Sequence, residues 1–310
     1  MVRYQLIVNP ISGRGTAERM VPKIEERMRL LNLTFDLVRT ERPWHAAELA
    51  EQAAKDGYDV VVSAGGDGTA NEVLNGLMNA KKAGANRTAM GVLGIGRGND
   101  FAFGVGIPHG VEAGCKVLAD NFRRRIDVGQ VRGGLYPEGR YFGNGVGIGF
   151  DAVVGFEALK MKRLKGFASY MVAALKTIFL YFHAPTISIE TDDEKSTLPS
   201  LLVSVMNGRR MGGGFLMAPQ AVPDDGLFDL CIASEVGKLK IFGLFPRFIK
   251  GTQAGHKAIK TGRTTKITVN ALEGVLPAHA DGETLCVDGK RLSMEVLSKQ
   301  LEMVVARQNG

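Results

Sequence analysis

The sequence predicts two fold classes in tandem: a mainly parallel α/β sheet with helices on both faces, followed by an antiparallel β-sandwich. Three observations carry this. Strand-like runs at 3–8, 34–39, 60–64 and 89–93 alternate with helical patterns at 16–31, 43–56, 69–79 and 109–119. Beyond residue 127 strand patterns dominate, with two helical interruptions. The 40 glycines cluster in turns rather than in a low-complexity tract, so ordered loops join the elements. A chain of 310 residues has room for two cores.

Taken in order, the first strand runs into Asn9-Pro10-Ile11-Ser12-Gly13-Arg14-Gly15-Thr16, where a hydroxyl and an Arg suit phosphate oxygens. The second ends at Arg39-Thr40, and Pro43 suits the first turn of the helix that follows. The third is the most informative: Val60-Val61-Val62-Ser63-Ala64 feeds Gly65-Gly66-Asp67-Gly68-Thr69, and Ala70-Asn71-Glu72 opens a helix. Glycines at 65, 66 and 68 let a ligand approach backbone N–H groups at a helix N-terminus, a favoured position for phosphate. Asp67 is the odd member, since a carboxylate beside phosphate needs a cation or proton donor between them. Its simpler role is a helix cap. The fourth strand ends in Gly94-Ile95-Gly96-Arg97-Gly98-Asn99-Asp100-Phe101. Three glycine turns after strands of one alternation fall along one sheet edge, where open α/β sheets bind ligands.

The second half offers strands at 125–132, 140–146, 186–191, 201–206, 227–233, 265–269 and 291–296, with helical segments at about 151–182 and 238–250. Gly, Asp and Pro turns join them as hairpins.

Several function classes are excluded or disfavoured. No G-x-x-x-x-G-K-[ST] run occurs, and Glu18 stands where a dinucleotide fingerprint needs its third glycine. The second strand lacks a terminal acid for a ribose, so an NAD site is disfavoured. Cys115, Cys231 and Cys286 are far apart and odd in number, which predicts a reducing compartment and no zinc site. The five histidines lack ligand spacing. The chain starts directly on a strand without a signal-peptide pattern, and no apolar run of 18 residues spans a bilayer; the expectation is cytoplasmic. A net charge of +7 suits an anionic membrane or nucleic acid, but no nucleic-acid module is present.

The motifs taken together resemble the bacterial diacylglycerol kinase-like lipid kinases, relatives of sphingosine and ceramide kinases. The matching pieces are Asn9-Pro10-x-Ser12-Gly13, Gly65 to Thr69 with Asn71-Glu72, and Gly96 with Asn99-Asp100-Phe101-Ala102. Later come Asn144-x-x-x-Ile148-Gly149-Phe150-Asp151-Ala152, Asp224-Asp225-Gly226-x-Phe228-Asp229 and Asp281-Gly282-Glu283. Gly-Gly-Asp-Gly-Thr alone is shared with NAD kinases; the ordered set is more specific. The resemblance implies an ATP-binding domain at 1–127 plus about 300–310, a lipid-substrate domain at 128–299, and a cleft between them.

It also implies phosphoryl transfer from ATP to a lipid hydroxyl, with Mg²⁺ bridging phosphate oxygens. By resemblance, nucleotide contacts fall on Asn9, Ser12, Gly13, Arg14, Thr40, Gly65, Gly66, Asp67, Gly68, Thr69, Asn71, Glu72, Gly96, Arg97, Asn99 and Asp100. Asp67 would hold Mg²⁺, with Asp100 extending its water network. A structural Mg²⁺ would sit on Asp225, with Asp224 and the carbonyls around Val222 and Leu227; the plain reading of that turn is type I. One departure stands out: Arg97 replaces the family's phosphate-binding Thr, and Gly94 its Pro.

Asp281 and Glu283 are the candidate catalytic pair. The resemblance makes Glu283 the proton acceptor, with Asp281 supporting it or taking that role. Spaced i and i+2, they would face one side of a strand-like segment; Asp-Gly is equally a hairpin turn. His279 is a rival base. Two segments suit a membrane surface, 161–182 and 238–250, each with a core-helix alternative. Diacylglycerol is the expected acceptor and a sphingoid base or other lipid alcohol the variant, with a homodimer also among the expectations. The competing readings are an NAD kinase-like enzyme of a soluble substrate and a non-enzymatic nucleotide-binding regulator.

Overall fold

The computed structural model describes residues 1–96, 98–160, 166–180 and 184–307. Contacts divide the chain into two compact units, Met1–Asp127 with Lys299–Gly310, and Val128–Ser298.

The first unit runs β1 (Arg3–Val8), α1 (Ser12–Leu30), β2 (Thr34–Arg39), α2 (His45–Lys55), β3 (Val60–Gly65), α3 (Asp67–Lys82), β4 (Ala89–Gly94), α4 (Asp100–Gly104) and α5 (Val111–Asp120). The sheet order is β2-β1-β3-β4, all parallel, and the end of the chain's last strand adds beside β4 with Met303 opposite Met90. Parallel sheets need both faces covered, and β3 is buried at every position while β2, at the edge, is only half-buried. In α1 the buried Ala17, Val21, Ile24 and Met28 recur at helical spacing and pack on Leu6, Val8, Val60 and Val62. Val21, Ile24 and Met28 each contribute about 1.5–3 kcal/mol on burial. The alanine-rich face of α2 packs closely on α3, where a Cβ on Gly76 would overlap the Ala47 carbonyl.

Chain then passes through β5 (Arg123–Gly133) into the second unit: β6 (Tyr136–Phe142), β7 (Gly145–Gly149), α6 (Phe150–Lys160), α7 (Gly166–Leu180), β8 (Thr186–Thr191), β9 (Lys195–Met206), β10 (Phe228–Ser234), α8 (Lys238–Lys250), β11 (Ile259–Thr264), β12 (Lys266–Glu273), β13 (Leu276–Ala280), β14 (Glu283–Gly289) and β15 (Arg291–Val304). Strand β9 joins two antiparallel sheets. Its first half pairs with β8, which leads on to β12 and β15; its second half pairs with β7 and β10, which lead to β13-β14 and β11. Inward residues of both sheets, including Phe142, Val146, Ile189, Val203, Phe228, Ile267 and Leu292, form one core, as in a sandwich.

The α/β unit has the strands expected, and α8 has the expected bounds. Elsewhere the expectations need correction. The strand expected at 140–146 is two strands, because the chain turns at Gly143-Asn144. The helical segment 151–182 is two helices; its stretches 161–165 and 181–182 lie outside the described residues. The sequence reading missed β11, β13 and β14, and Pro43 lies in the turn before α2 rather than in its first turn. All three cysteines are buried, and burial pushes the thiols of Cys115 and Cys231 up to about 11 and about 12.

Candidate active site

In the first unit, turns after β1, β3 and β4 interlock. Asn9 Nδ2 donates to Thr69 Oγ1 at 3.0 Å, while its Oδ1 accepts the Ile11 N–H. Ser12 Oγ accepts the Gly66 N–H at 3.0 Å. Ile95 N–H reaches the Gly65 carbonyl at 2.7 Å. These bonds require close backbone approach: a Cβ on Gly96 would overlap the Gly66 Cα, and one on Gly13 would lie 2.6 Å from the Ile95 carbonyl oxygen. Gly13, Arg14 and Gly15 are all left-handed (φ 57°, 60° and 81°), so helical geometry in α1 begins only after them. Gly66 precedes α3 and brings no capping side chain, which leaves that helix start suited to an anion.

Asp67 caps α4. Its Oδ1 accepts the Phe101 N–H of α4 at 3.0 Å. Its Oδ2 faces Gly98: a Cβ there would lie 3.0 Å from Asp67 Oδ2 and 3.2 Å from Asp100 Oδ2. Two carboxylates therefore converge beside Gly98, where a side chain would crowd both. That is a fit for Mg²⁺, which takes oxygen ligands from one or two carboxylates and completes its shell with waters and phosphate. The sequence reading missed Gly98 in this role; the signal was its place between Asp67's turn and Asp100. Asn99, left-handed at φ 54°, closes the turn by accepting the Gly96 N–H at 2.7 Å.

Other expected nucleotide contacts are placed less directly. Thr40 donates its N–H to the Val8 carbonyl, extending the β1–β2 pairing to the sheet edge. Glu72 accepts the Ala46 N–H and holds the start of α2, and Asn71 is buried against Asn75 in α3. Glu18, which replaces the dinucleotide glycine, forms a bidentate pair with Arg39. Arg97 lies outside the described residues.

In the second unit, Asp281-Gly282 is a two-residue hairpin turn between β13 and β14. Both residues have positive φ (49° and 86°), and Ala280 pairs with Glu283. The expectation that the two acids lie on one side of a strand is corrected by this turn. Asp281 points inward, with its carboxylate accepting the N–H groups of Gly143 (2.7 Å), Asn144 (3.0 Å) and Gly145 (2.9 Å). Asn207 Nδ2 closes the same turn by donating to the Gly143 carbonyl; the sequence reading overlooked it. Glu283 is half-buried at the start of β14. His279 is buried, and burial lowers its pKa to about 4, so its imidazole is neutral. Across Gly147 from it stands Asp151, pushed up to about 7 by burial, with neither carboxylate oxygen hydrogen-bonded among the described residues.

The Asp224-Asp225 turn closes on itself. Asp225 Oδ1 accepts the Leu227 N–H at 3.1 Å, and its Oδ2 lies 3.7 Å from Arg263, which also pairs with Asp229. A guanidinium thus neutralises the carboxylate expected to hold a cation with Asp224, Val222 and Leu227.

Residues 3–131 match the diacylglycerol kinase catalytic domain, and residues 144–305 match the YegS C-terminal NAD kinase beta sandwich-like domain. Diacylglycerol kinase of Bacillus subtilis is 28% identical over 91% of this chain and 90% of its own length. Those of Staphylococcus saprophyticus and Mycobacterium tuberculosis are each 27% identical, over 91% and 90% of this chain and 88% of theirs. The crystal structure of a diacylglycerol kinase from Bacillus anthracis covers 98% of this chain and 97% of its own at 21% identity, with a TM-score of 0.73, which shows a shared fold. With both halves matched in order, the chain belongs to the diacylglycerol kinase family of lipid kinases.

Proposed function

We propose that this protein transfers the γ-phosphate of ATP to the hydroxyl of diacylglycerol, giving phosphatidic acid. The observation that carries this reading is the convergence of Asp67 and Asp100 beside Gly98, inside three interlocked glycine turns. The turns cradle the triphosphate with backbone N–H groups, and Asn9, Ser12 and Thr69 hold their shape. When bound, Mg²⁺ supplies the charge neutralisation that phosphoryl transfer requires. Glu283 is the base that takes the lipid hydroxyl proton. Asp281 is already committed to three backbone N–H groups, so it acts as the anchor of the turn that presents Glu283.

The lipid is met at a membrane surface. No helix among the described residues is long and apolar enough to cross a bilayer. Helix α8 buries Ile241, Leu244 and Phe248 and turns outward Lys238, Leu239, Lys240, Arg247, Ile249 and Lys250, with no acid along its length. Each cation near an anionic leaflet is worth about 1 kcal/mol, and the exposed Leu239 and Ile249 add apolar contact. The proposed location is therefore cytoplasmic with transient attachment to the inner membrane surface.

The test is phosphate transfer from labelled ATP to diacylglycerol in anionic vesicles, to a sphingoid base, and to soluble NAD. Wild type is expected to make phosphatidic acid, and Asp67→Ala and Glu283→Ala are expected to make little. Transfer to NAD without vesicles would favour the soluble-substrate reading; equal turnover by all three proteins would sink the assignment of these residues. Leu239→Asp is expected to reduce sedimentation with anionic vesicles while sparing ATP binding.

A further inference from the structure

The first unit holds a second concave site far from its glycine turns. A cavity of 290 Å³ is lined by Leu77, Met78, Lys81, Arg87, Arg125 and Glu302, among others. Helix α3 begins at Asp67 and has 16 residues, about 24 Å at 1.5 Å per residue. Lys81 lies in its last turn, so the cavity is at the opposite end of the helix from the carboxylates at Gly98.

The lining has an apolar floor and a cationic rim. Leu77, Met78 and Leu301 are buried, whereas Arg87 and Arg125 are exposed. Lys81 is half-buried and donates to both the main-chain oxygen and Oε1 of Gln300, each at 2.7 Å. Both acceptors are neutral, and an ammonium has a third donor. Burial and the nearby Arg125 lower its pKa. Glu302 is the one acid in the lining among the described residues. It is matched by Arg123 at 2.9 Å, a residue outside the lining, and lies 3.9 Å from Arg125. Lys81, Arg87 and Arg125 thus share a concave wall with one carboxylate, Glu302, which is divided between Arg125 and Arg123; the wall keeps an excess of positive charge that concentrates anions.

We propose that this cavity binds a phosphomonoester, separately from the nucleotide. The phosphate sits on Lys81, Arg87 and Arg125, since guanidinium forks match phosphate oxygens. A short carbon stem lies against Leu77, Met78 and Leu301. The ester is either a small soluble one or a lipid headgroup, and both share this chemistry.

Calorimetric titration of the full-length protein with inorganic phosphate and glycerol phosphate, and flotation with phosphatidylcholine vesicles with and without phosphatidic acid, test the site. The comparison is wild type against Arg87→Ala/Arg125→Ala, whose exposed positions leave the fold intact as checked by melting. Wild type is expected to bind at least one phosphomonoester probe. The double variant is expected to bind it more weakly by about tenfold for each guanidinium lost, with unchanged ATP affinity. Binding of glycerol phosphate in solution assigns a soluble ester, and binding confined to phosphatidic acid vesicles assigns a headgroup. Equal binding by both proteins, no binding of any probe, or displacement of the bound ester by ATP would each overturn the proposal.

Discussion

Asp281 accepts the backbone N–H of Asn144 at 3.0 Å from a left-handed turn residue, so a side chain in the β13–β14 hairpin fixes the backbone between β6 and β7. Its oxygens also hold Gly143 and Gly145, and the site is buried. Glu283, two residues on, has no such structural commitment among the described residues.

The two acids are therefore expected to separate in experiment. Asp281→Asn removes charge from three converging N–H groups and is expected to lower stability by about 2 kcal/mol or more. Glu283→Gln is expected to change stability by less than about 0.5 kcal/mol while lowering kcat by at least about 100-fold. Thermal melting and turnover on the same two preparations check this; a stable but inactive Asp281→Asn would reverse the roles.

Gly98→Ala places a methyl carbon 3.0 Å from Asp67 Oδ2 and 3.2 Å from Asp100 Oδ2. The expected outcome is a rise of about tenfold or more in the magnesium concentration for half-maximal rate, equivalent to about 1.4 kcal/mol. A magnesium titration at saturating ATP measures it. An unchanged curve would remove these carboxylates from the metal site.

Stability should respond to pH through Asp151 and His279, in opposite directions. Asp151 has its folded pKa raised to about 7, so its stabilising contribution is full below the unfolded value of about 3.9 and is lost as pH rises toward 7. His279 is lowered from 6.5 to about 4, so its contribution is full above 6.5 and is lost as pH falls through that range. Between pH 4 and 6.5 the slopes oppose, each at most about 1.4 kcal/mol per pH unit. Asp151→Asn is expected to make stability climb with pH over this interval, and His279→Gln to make it fall. Denaturation midpoints from pH 4.5 to 6.5 decide it.

If magnesium also occupies the 224–227 turn, it competes with Arg263 for Asp225. Added Mg²⁺ is then expected to raise the melting temperature of wild type, more so in Arg263→Ala, and not in Asp225→Asn. A hundredfold excess over Kd corresponds to about 2.7 kcal/mol. No magnesium dependence in any of the three would leave the turn to Arg263 alone.

The α/β half was legible because apolar strands and glycine turns are local signals. Val60 to Val62 are apolar on both faces, as a central parallel strand must be, and no distant residue is needed to see it. The sandwich half was harder. Strand β13 contains Pro277 and His279, and β11 is mostly exposed, so neither shows an apolar run; cross-strand pairing decides both. In the site, residue types were readable but orientations were not. Asp281 and Glu283 are two apart in sequence, and only the left-handed backbone at 281 and 282 sends them different ways. Asp67 was legible as acidic and cap-forming, but its partner Phe101 is 34 positions away.

The three sunken thiols have a practical sequel. Thiol-directed reagents need the thiolate, and burial holds Cys115 and Cys231 far from ionisation at neutral pH. The wild-type chain should be nearly inert to maleimide until it unfolds. A cysteine installed at Leu239, which is 84% exposed, would then take a fluorophore by itself and report directly when that helix meets a bilayer.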